Sequence, residues 1–168
     1  MYCQGEIAEG SSFCNHCGKK QVKVYTQTFR REGLSEDVFI QKINEWFQAY
    51  PQVANVKGKF LLSSHVGMLV NKYRMDALAI EYEVLNGHNT NQYAVVSLSK
   101  TGLIKLETDR VLAQWQQNNP GATVINTSGG VHQRGDSGSL IIGGFGAVNK
   151  TQLYVLFKYD RNKGTGIA

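Results

Sequence analysis

Cys14 and Cys17 are separated by two residues and followed by Gly18, with Cys3 a short way upstream. Two thiols spaced as Cys-x-x-Cys sit on one tight turn and, once deprotonated, can share a tetrahedral metal ion. The glycine behind them permits a positive φ, which frees backbone amides to hydrogen-bond the sulfurs. Zinc suits such a thiolate set, and Cys3, Cys14 and Cys17 would supply three of its four ligands. His16 lies inside the Cys14–Cys17 turn, where the intervening side chains point away from the metal, so it is not expected to complete the set. The ligand set is therefore incomplete, open to water or to a ligand from another molecule. No cysteine lies beyond Cys17, so the rest of the chain has no disulfide, which fits a reducing, cytoplasmic setting.

The surrounding residues sharpen this reading. Glu6-Ile7, Glu9-Gly10, Phe13 and Cys14-Asn15-His16-Cys17-Gly18 fall where they do in the short zinc ribbons found at the N-termini of bacterial proteins, and residues 3–18 resemble a degenerate member of that group. The resemblance implies that metal binding supplies most of this segment's folding energy, with Phe13 as its main apolar body. The step from Cys3 to Cys14 matches that between the ribbon's second and third cysteines. On that register the first cysteine is missing, cut off at the start of the chain; alternatively two residues, one of them a cysteine, were lost after Gln4, and either way one ligand is absent.

A second candidate is Gly135-Asp136-Ser137-Gly138-Ser139, which resembles the nucleophile motif of chymotrypsin-like serine proteases. That chemistry needs a histidine base and a buried aspartate, and His65 and Asp109 stand in the required order. Asp109 is better explained as the start of a helix, too little chain separates it from Ser137 to build a second barrel, and Asp-Ser-Gly-Ser is ordinary turn composition. Residues 128–138, glycine-rich with His132 inside, read as a mobile surface loop. His88 reads as a solvated turn residue.

The elements that must position any site lie after residue 20. Val22–Phe29 alternates as a strand. Ser35-Glu36-Asp37 reads as a helix start, a capping serine followed by acids at the positive end of the dipole, and Phe39, Ile43, Trp46 and Tyr50 then recur at helical spacing up to Pro51. Strands are expected over Val53–Ser63 and residues 73–85, then a turn at Asn86-Gly87. One bent or two short strands follow over residues 92–106. Thr108 or Asp109 is expected to cap a second helix carrying Val111, Leu112 and Trp115 before Pro120. Ala122–Thr127, Leu140–Ile142 and Leu153–Tyr159 read as strands. Trp46 precedes Pro51 at the interval by which Trp115 precedes Pro120, which is consistent with a strand–helix–strand–strand unit repeated over residues 22–85 and 92–160; chance similarity of two junctions explains this as well.

The expected architecture is a ribbon over residues 1–20, an α+β domain over 21–162 and a disordered tail over 163–168. The domain is an antiparallel sheet of about seven or eight strands with two helices on one face. Phe39, Ile43, Trp46, Leu78, Ile80, Tyr82, Leu112, Trp115, Val155 and Phe157 are the expected core, the tryptophans serving as anchors rather than stacking platforms. No apolar run approaches the roughly 20 residues that cross a bilayer, and no leader or membrane association is expected. The reading is a non-enzymatic binding or regulatory module whose partner is a protein. Nucleic-acid binding is the alternative, suggested by a net charge of +5, a pI near 9.1 and the strand residues Lys57, Lys59, Lys72 and Arg74. A serine hydrolase using Ser137 is the remaining one.

The ribbon reading has a direct test. The full chain, purified under reducing conditions, should carry zinc that a thiol-modifying reagent releases, and Cys14→Ser with Cys17→Ser should abolish loading. Equal metal content in parent and variant, by elemental analysis, would remove the cysteines from the site.

Overall fold

The computed structural model describes residues 18, 23–66, 71–87, 89–102, 107–133 and 149–163. The elements run β1 (Val24–Arg30), α1 (Glu36–Ala49), β2 (Val53–Val66), β3 (Asn71–Val84), β4 (Asn91–Gly102), α2 (Thr108–Asn118), β5 (Ala122–Gln133) and β6 (Asn149–Asp160), closed by a 3-10 turn at Arg161–Lys163. The α+β class is as expected, but the single large sheet is not. Among the described residues, six strands form two three-stranded antiparallel sheets, ordered β1-β3-β2 and β4-β6-β5. The Asn86-Gly87 turn therefore joins strands of different sheets and makes no hairpin. No helix among the described residues is long and apolar enough to cross a membrane.

The two orders are the same pattern read twice: β1, α1, β2 and β3 correspond to β4, α2, β5 and β6. The correspondence extends to detail. The second strand of each unit carries a register irregularity near its start, between Ala54 and Lys57 and between Val124 and Asn126. Trp46 packs edge-on against Tyr82 at 5.5 Å between ring centroids, and Trp115 against Phe157 at 4.9 Å. In each unit the first residue of the second strand bonds back to the end of the helix, Val53 N–H to the Tyr50 carbonyl and Ala122 N–H to the Asn119 carbonyl. The recurrence that the two helix–proline junctions only suggested is thus present in topology, register and ring packing.

Local chemistry accounts for the helices. The Ser35 hydroxyl accepts the Val38 N–H at 3.4 Å, and Glu36 and Asp37 fill the first turn of α1. Phe39, Ile43 and Phe47 are its buried stripe. The second helix departs from expectation. Glu107 occupies the N-cap position without a side-chain capping bond, and Thr108 and Asp109 lie inside the helix. Thr108 and Asp109 cannot cap amides of a turn to which they already belong.

The layering explains the core. Phe39, Ile43 and Phe47 of α1 share one cluster with Val53, Val56 and Phe60 of β2, Met75, Leu78 and Ile80 of β3, Tyr93 and Val95 of β4, and Tyr154 and Leu156 of β6. Leu153, Val155 and Phe157, on the opposite face of β6, form a second cluster with Leu112 and Trp115 of α2. The helices therefore do not share one face: α1 packs in the cluster common to both sheets, and α2 covers the far face of the second. Of the expected core, Trp46, Tyr82, Leu112 and Trp115 are partly buried and pack against the clusters, while the other six are fully buried.

The glycine-rich stretch is also corrected. Residues 128–133 are strand, paired with β6 from Ser128 opposite Tyr154 to Gln133 opposite Asn149; His132 therefore lies on β5, and residues 134–138 lie outside the described residues. Gly129 and Gly130 belong there because there is no room for a side chain. A Cβ at Gly129 would strike the Gln152 carbonyl and lie 2.7 Å from Leu153 Cα, and one at Gly130 would enter the Tyr73 ring. Gly58 is required similarly, where β2 passes over the side chain of Leu156.

Ile80→Ala should lower stability by about 2–5 kcal/mol, the usual cost of emptying a closed aliphatic site. Leu61→Ala, at a side chain 48% exposed on the same sheet, should cost less than about 0.5 kcal/mol. Chemical denaturation of both checks the assignment of faces, and an equal cost would invert it.

Candidate functional site

Glu36 was placed by sequence as a helix-dipole residue, and its carboxylate does considerably more. It accepts hydrogen bonds from Ser97 Oγ at 2.8 Å, from Gln152 Nε2 at 3.0 Å and from the Tyr154 hydroxyl at 2.6 Å. All three donors lie on the strands of the second unit. The Tyr154 oxygen in turn accepts from Gln152 Nε2 at 2.8 Å and from the Met75 N–H of β3 at 3.2 Å. One phenol thus ties α1, β3 and β6 together. Burial pushes the Tyr154 hydroxyl well above the usual tyrosine range, and its hydrogen bond to Glu36 and the charge there push it further. A hydroxyl that donates to a carboxylate must keep its proton, so this network is complete only with Tyr154 neutral.

Beside this network α1 lies along the outer edge of β4. The edge would leave the peptide of Val95 unpaired, and the Asn44 side chain supplies both partners: Nδ2 donates to the Val95 carbonyl at 3.0 Å and Oδ1 accepts the Val95 N–H at 2.7 Å. An open groove of about 620 Å³ runs along this junction. One flank is the polar side of α1, with Asp37, Gln41, Asn44, Glu45 and Gln48; the rest includes Ala94, Val96, Phe157 and Tyr159. Gln41 Nε2 donates to Glu45 Oε1 at 2.8 Å, which holds that carboxylate on the rim. Ser97 joins the groove to the Glu36 network at one end, and Tyr93 lines it near the other. Burial raises the Tyr93 hydroxyl, against the backbone hydrogen bonds at Val56 and Asn55. Tyr159 is raised by burial too, opposed by Arg161. The groove combines an apolar and aromatic floor with carboxylates on its rim.

The residues singled out by sequence are not the ones that build this groove. Cys3, Cys14, Cys17, His16, His88 and Ser137 lie outside the described residues. Among the described residues, no group of three or more His, Cys, Asp or Glu is placed to hold a metal ion. Asp109 is exposed in the first turn of α2, whereas a triad aspartate is buried against its histidine; His65 lies on β2. The basic strand residues do not make one stripe. Lys57 stands across from Glu81, and Arg74 Nε lies 3.3 Å from Asp76, so the helix-free face of the first sheet is mixed in charge. Glu36, Tyr154 and the groove residues were missed as a site because their partners are far apart in sequence. The one local signal was the acidic pair after Ser35.

Comparison with family models, with curated proteins and with solved structures gives no match for this chain.

Tyr154→Phe should cost about 1–3 kcal/mol near neutral pH, because Glu36 loses a donor and the Met75 N–H its acceptor in a buried setting. The raised native value also sets a pH dependence. Below pH about 10 the tyrosine is protonated in both the folded and unfolded chain and its stabilisation is complete. Stability is then lost as the pH climbs from there through the higher native value. Urea unfolding of the parent should show this alkaline decline, and Tyr154→Phe should make it shallower while Tyr93 and Tyr159 keep the remainder. Parallel declines in parent and variant would show that Tyr154 does not carry the effect.

Proposed function

We propose that this chain is a non-enzymatic binding module and that the groove between α1 and β4 receives a basic segment of a partner protein. The observation that carries this reading is the pairing of rim carboxylates, Asp37 and Glu45, with a floor that includes Ala94, Val96 and Tyr159. Lysine and arginine side chains are amphipathic in the matching sense. Their methylene stems lie on apolar or aromatic surface while the cationic head stays at the wet rim near a carboxylate. The Val95 peptide is already bonded to Asn44, so recognition here proceeds through side chains rather than by adding a strand to β4. Cys3, Cys14 and Cys17 are proposed, on their spacing, to hold a zinc ion through three thiolates, giving the module a second point of attachment where a partner supplies the fourth ligand.

The groove is tested by titrating the full, isotope-labelled chain with the capped peptide Ala-Arg-Ala-Arg-Ala. Amide resonances of residues 37–48 and 93–97 should shift saturably. Asp37→Asn combined with Glu45→Gln should weaken binding about fivefold to thirtyfold, as expected for the loss of two exposed ion pairs at about 0.5–1 kcal/mol each. An undiminished affinity in the double variant, or equal shifts caused by Ala-Glu-Ala-Glu-Ala, would exclude the acidic rim as the recognition element.

A further inference from the structure

The opposite flank of α1 has a different chemistry. Lys42, Trp46 and Tyr50 recur every fourth residue and so share one stripe of the helix. Trp46 lies at the centre of a ring cluster, with centroid distances of 5.3 Å to Phe29, 5.5 Å to Tyr82 and 5.0 Å to Tyr50. Tyr82 continues the series outward by stacking on Tyr25 of the edge strand β1 at 5.6 Å, with the two rings 23° from parallel. The ends of the series are open to solvent, Tyr25 being 36% and Tyr50 46% exposed. The Lys23 ammonium lies over the Tyr25 ring, 5.2 Å from its centre. Ring contact places the Lys23 ammonium on this flank, and helical spacing places Lys42 there, with Glu45 one turn on from Lys42 towards the groove.

We propose that this flank binds single-stranded nucleic acid, with bases stacked on Tyr25 and Tyr50 and phosphates neutralised by Lys23 and Lys42. Exposed aromatic rings accept any base face, and lysines beside them meet the backbone charge, which together give sequence-tolerant and salt-sensitive binding. The inner rings contribute rigidity: Trp46 is held by Phe29 and Tyr82, so Tyr50 is presented without further ordering of the chain, whereas at Tyr25 the Lys23 ammonium moves from over the ring to the phosphate as a base takes its place. A duplex does not fit, because its bases are already stacked on one another. The overall excess of positive charge favours the same partner. This site is independent of the acidic groove, which lies on the other side of the helix.

The test uses the full chain and a fluorescein-labelled ten-nucleotide oligothymidylate, read by fluorescence anisotropy. Saturable binding that weakens as salt rises is expected. Tyr25→Ala and Tyr50→Ala should each reduce affinity about fivefold to a hundredfold, whereas Tyr25→Phe and Tyr50→Phe should retain it, since stacking needs the ring and not the hydroxyl. Lys23→Gln and Lys42→Gln should each lower the steepness of the salt dependence by about 0.7. Thermal melts confirm that each variant is folded, and the phenylalanine and lysine variants keep the test decisive should an alanine variant unfold. Three results would overturn the proposal: no saturable binding at about 50 mM salt, undiminished binding by folded alanine variants, or a hairpin duplex binding as tightly as the single strand. Perturbation of these rings by oligoproline but not by the oligonucleotide would reassign the surface to a peptide.

Discussion

Every residue of β6 from Thr151 to Phe157 is buried, although alternate side chains of a strand point to opposite faces. Both faces must therefore be covered. Tyr154 and Leu156 enter the cluster shared by α1 and both sheets, while Leu153, Val155 and Phe157 meet α2. The rest of the arrangement follows from this demand. Gly58 must lack a side chain so that β2 can pass over Leu156, and Gly129 must lack one so that β5 can close on the β6 backbone at Gln152 and Leu153. The Asn126 side chain then reaches across to the Gly58 carbonyl and joins the adjacent edges of the two sheets. Because Gln152 and Tyr154 carry polar atoms into this region, they need partners there, and Glu36 at the start of α1 provides them.

The same demand shows how two like units become one body. Unit by unit, the chain supplies a strand, a helix and two further strands in equal order, and a symmetric outcome would treat both helices alike. It does not. The first helix packs on its own sheet, lies along the edge of β4 and bonds Val95 through Asn44. The residue in the matching place on α2 is Ala113, which has no amide to offer a strand edge. Equivalent positions elsewhere have diverged in the same way: Tyr25, Tyr82 and Tyr50 of the first unit correspond to Ala94, Phe157 and Asn119 of the second. The shared framework is topological, and the differences in surface chemistry rest on these substitutions.

Much of the framework was legible in the sequence because it depends on local periodicity. Ser35, the Phe39–Ile43 spacing and Pro51 bound the first helix, and the alternation of Leu78, Ile80 and Tyr82 identified the inner face of β3. Tyr154, Leu156 and Phe47 were missed for a physical reason. A one-layer sheet needs only one apolar face, so of the continuous run from Leu153 to Phe157 only Val155 and Phe157 are expected in the core, and on α1 the expected stripe of Ile43, Trp46 and Tyr50 passes beside Phe47. The glycines at 129 and 130 misled for a related reason: glycine marks turns through its backbone freedom, but here it is required by close approach, which only the neighbours reveal. Charge was the least legible property. Lys57, Lys59 and Arg74 read as a basic group until the register brought Glu81 and Asp76 among them.

The first helix consequently works on three fronts, and its sequence shows why no single periodicity describes it. Phe39, Ile43 and Phe47 face the core. Asp37, Gln41, Asn44, Glu45 and Gln48 face the edge of β4 and the groove. Lys42, Trp46 and Tyr50 face β1 and the exposed rings. Asp37 and Glu45 line the groove, while Lys42, the one basic residue of the helix, falls in the stripe of Trp46 and Tyr50, one turn from Glu45. This placement leaves the groove rim acidic and sets a single ammonium beside the aromatic stripe. Charge of one sign beside aromatic surface favours partners of the other sign, so one helix can present two unlike surfaces without either competing for the other's ligand. Glu36 makes this arrangement persistent: by anchoring the start of α1 to Ser97, Gln152 and Tyr154, it fixes the rotation of the helix about its own axis, and with it which side chains face which flank.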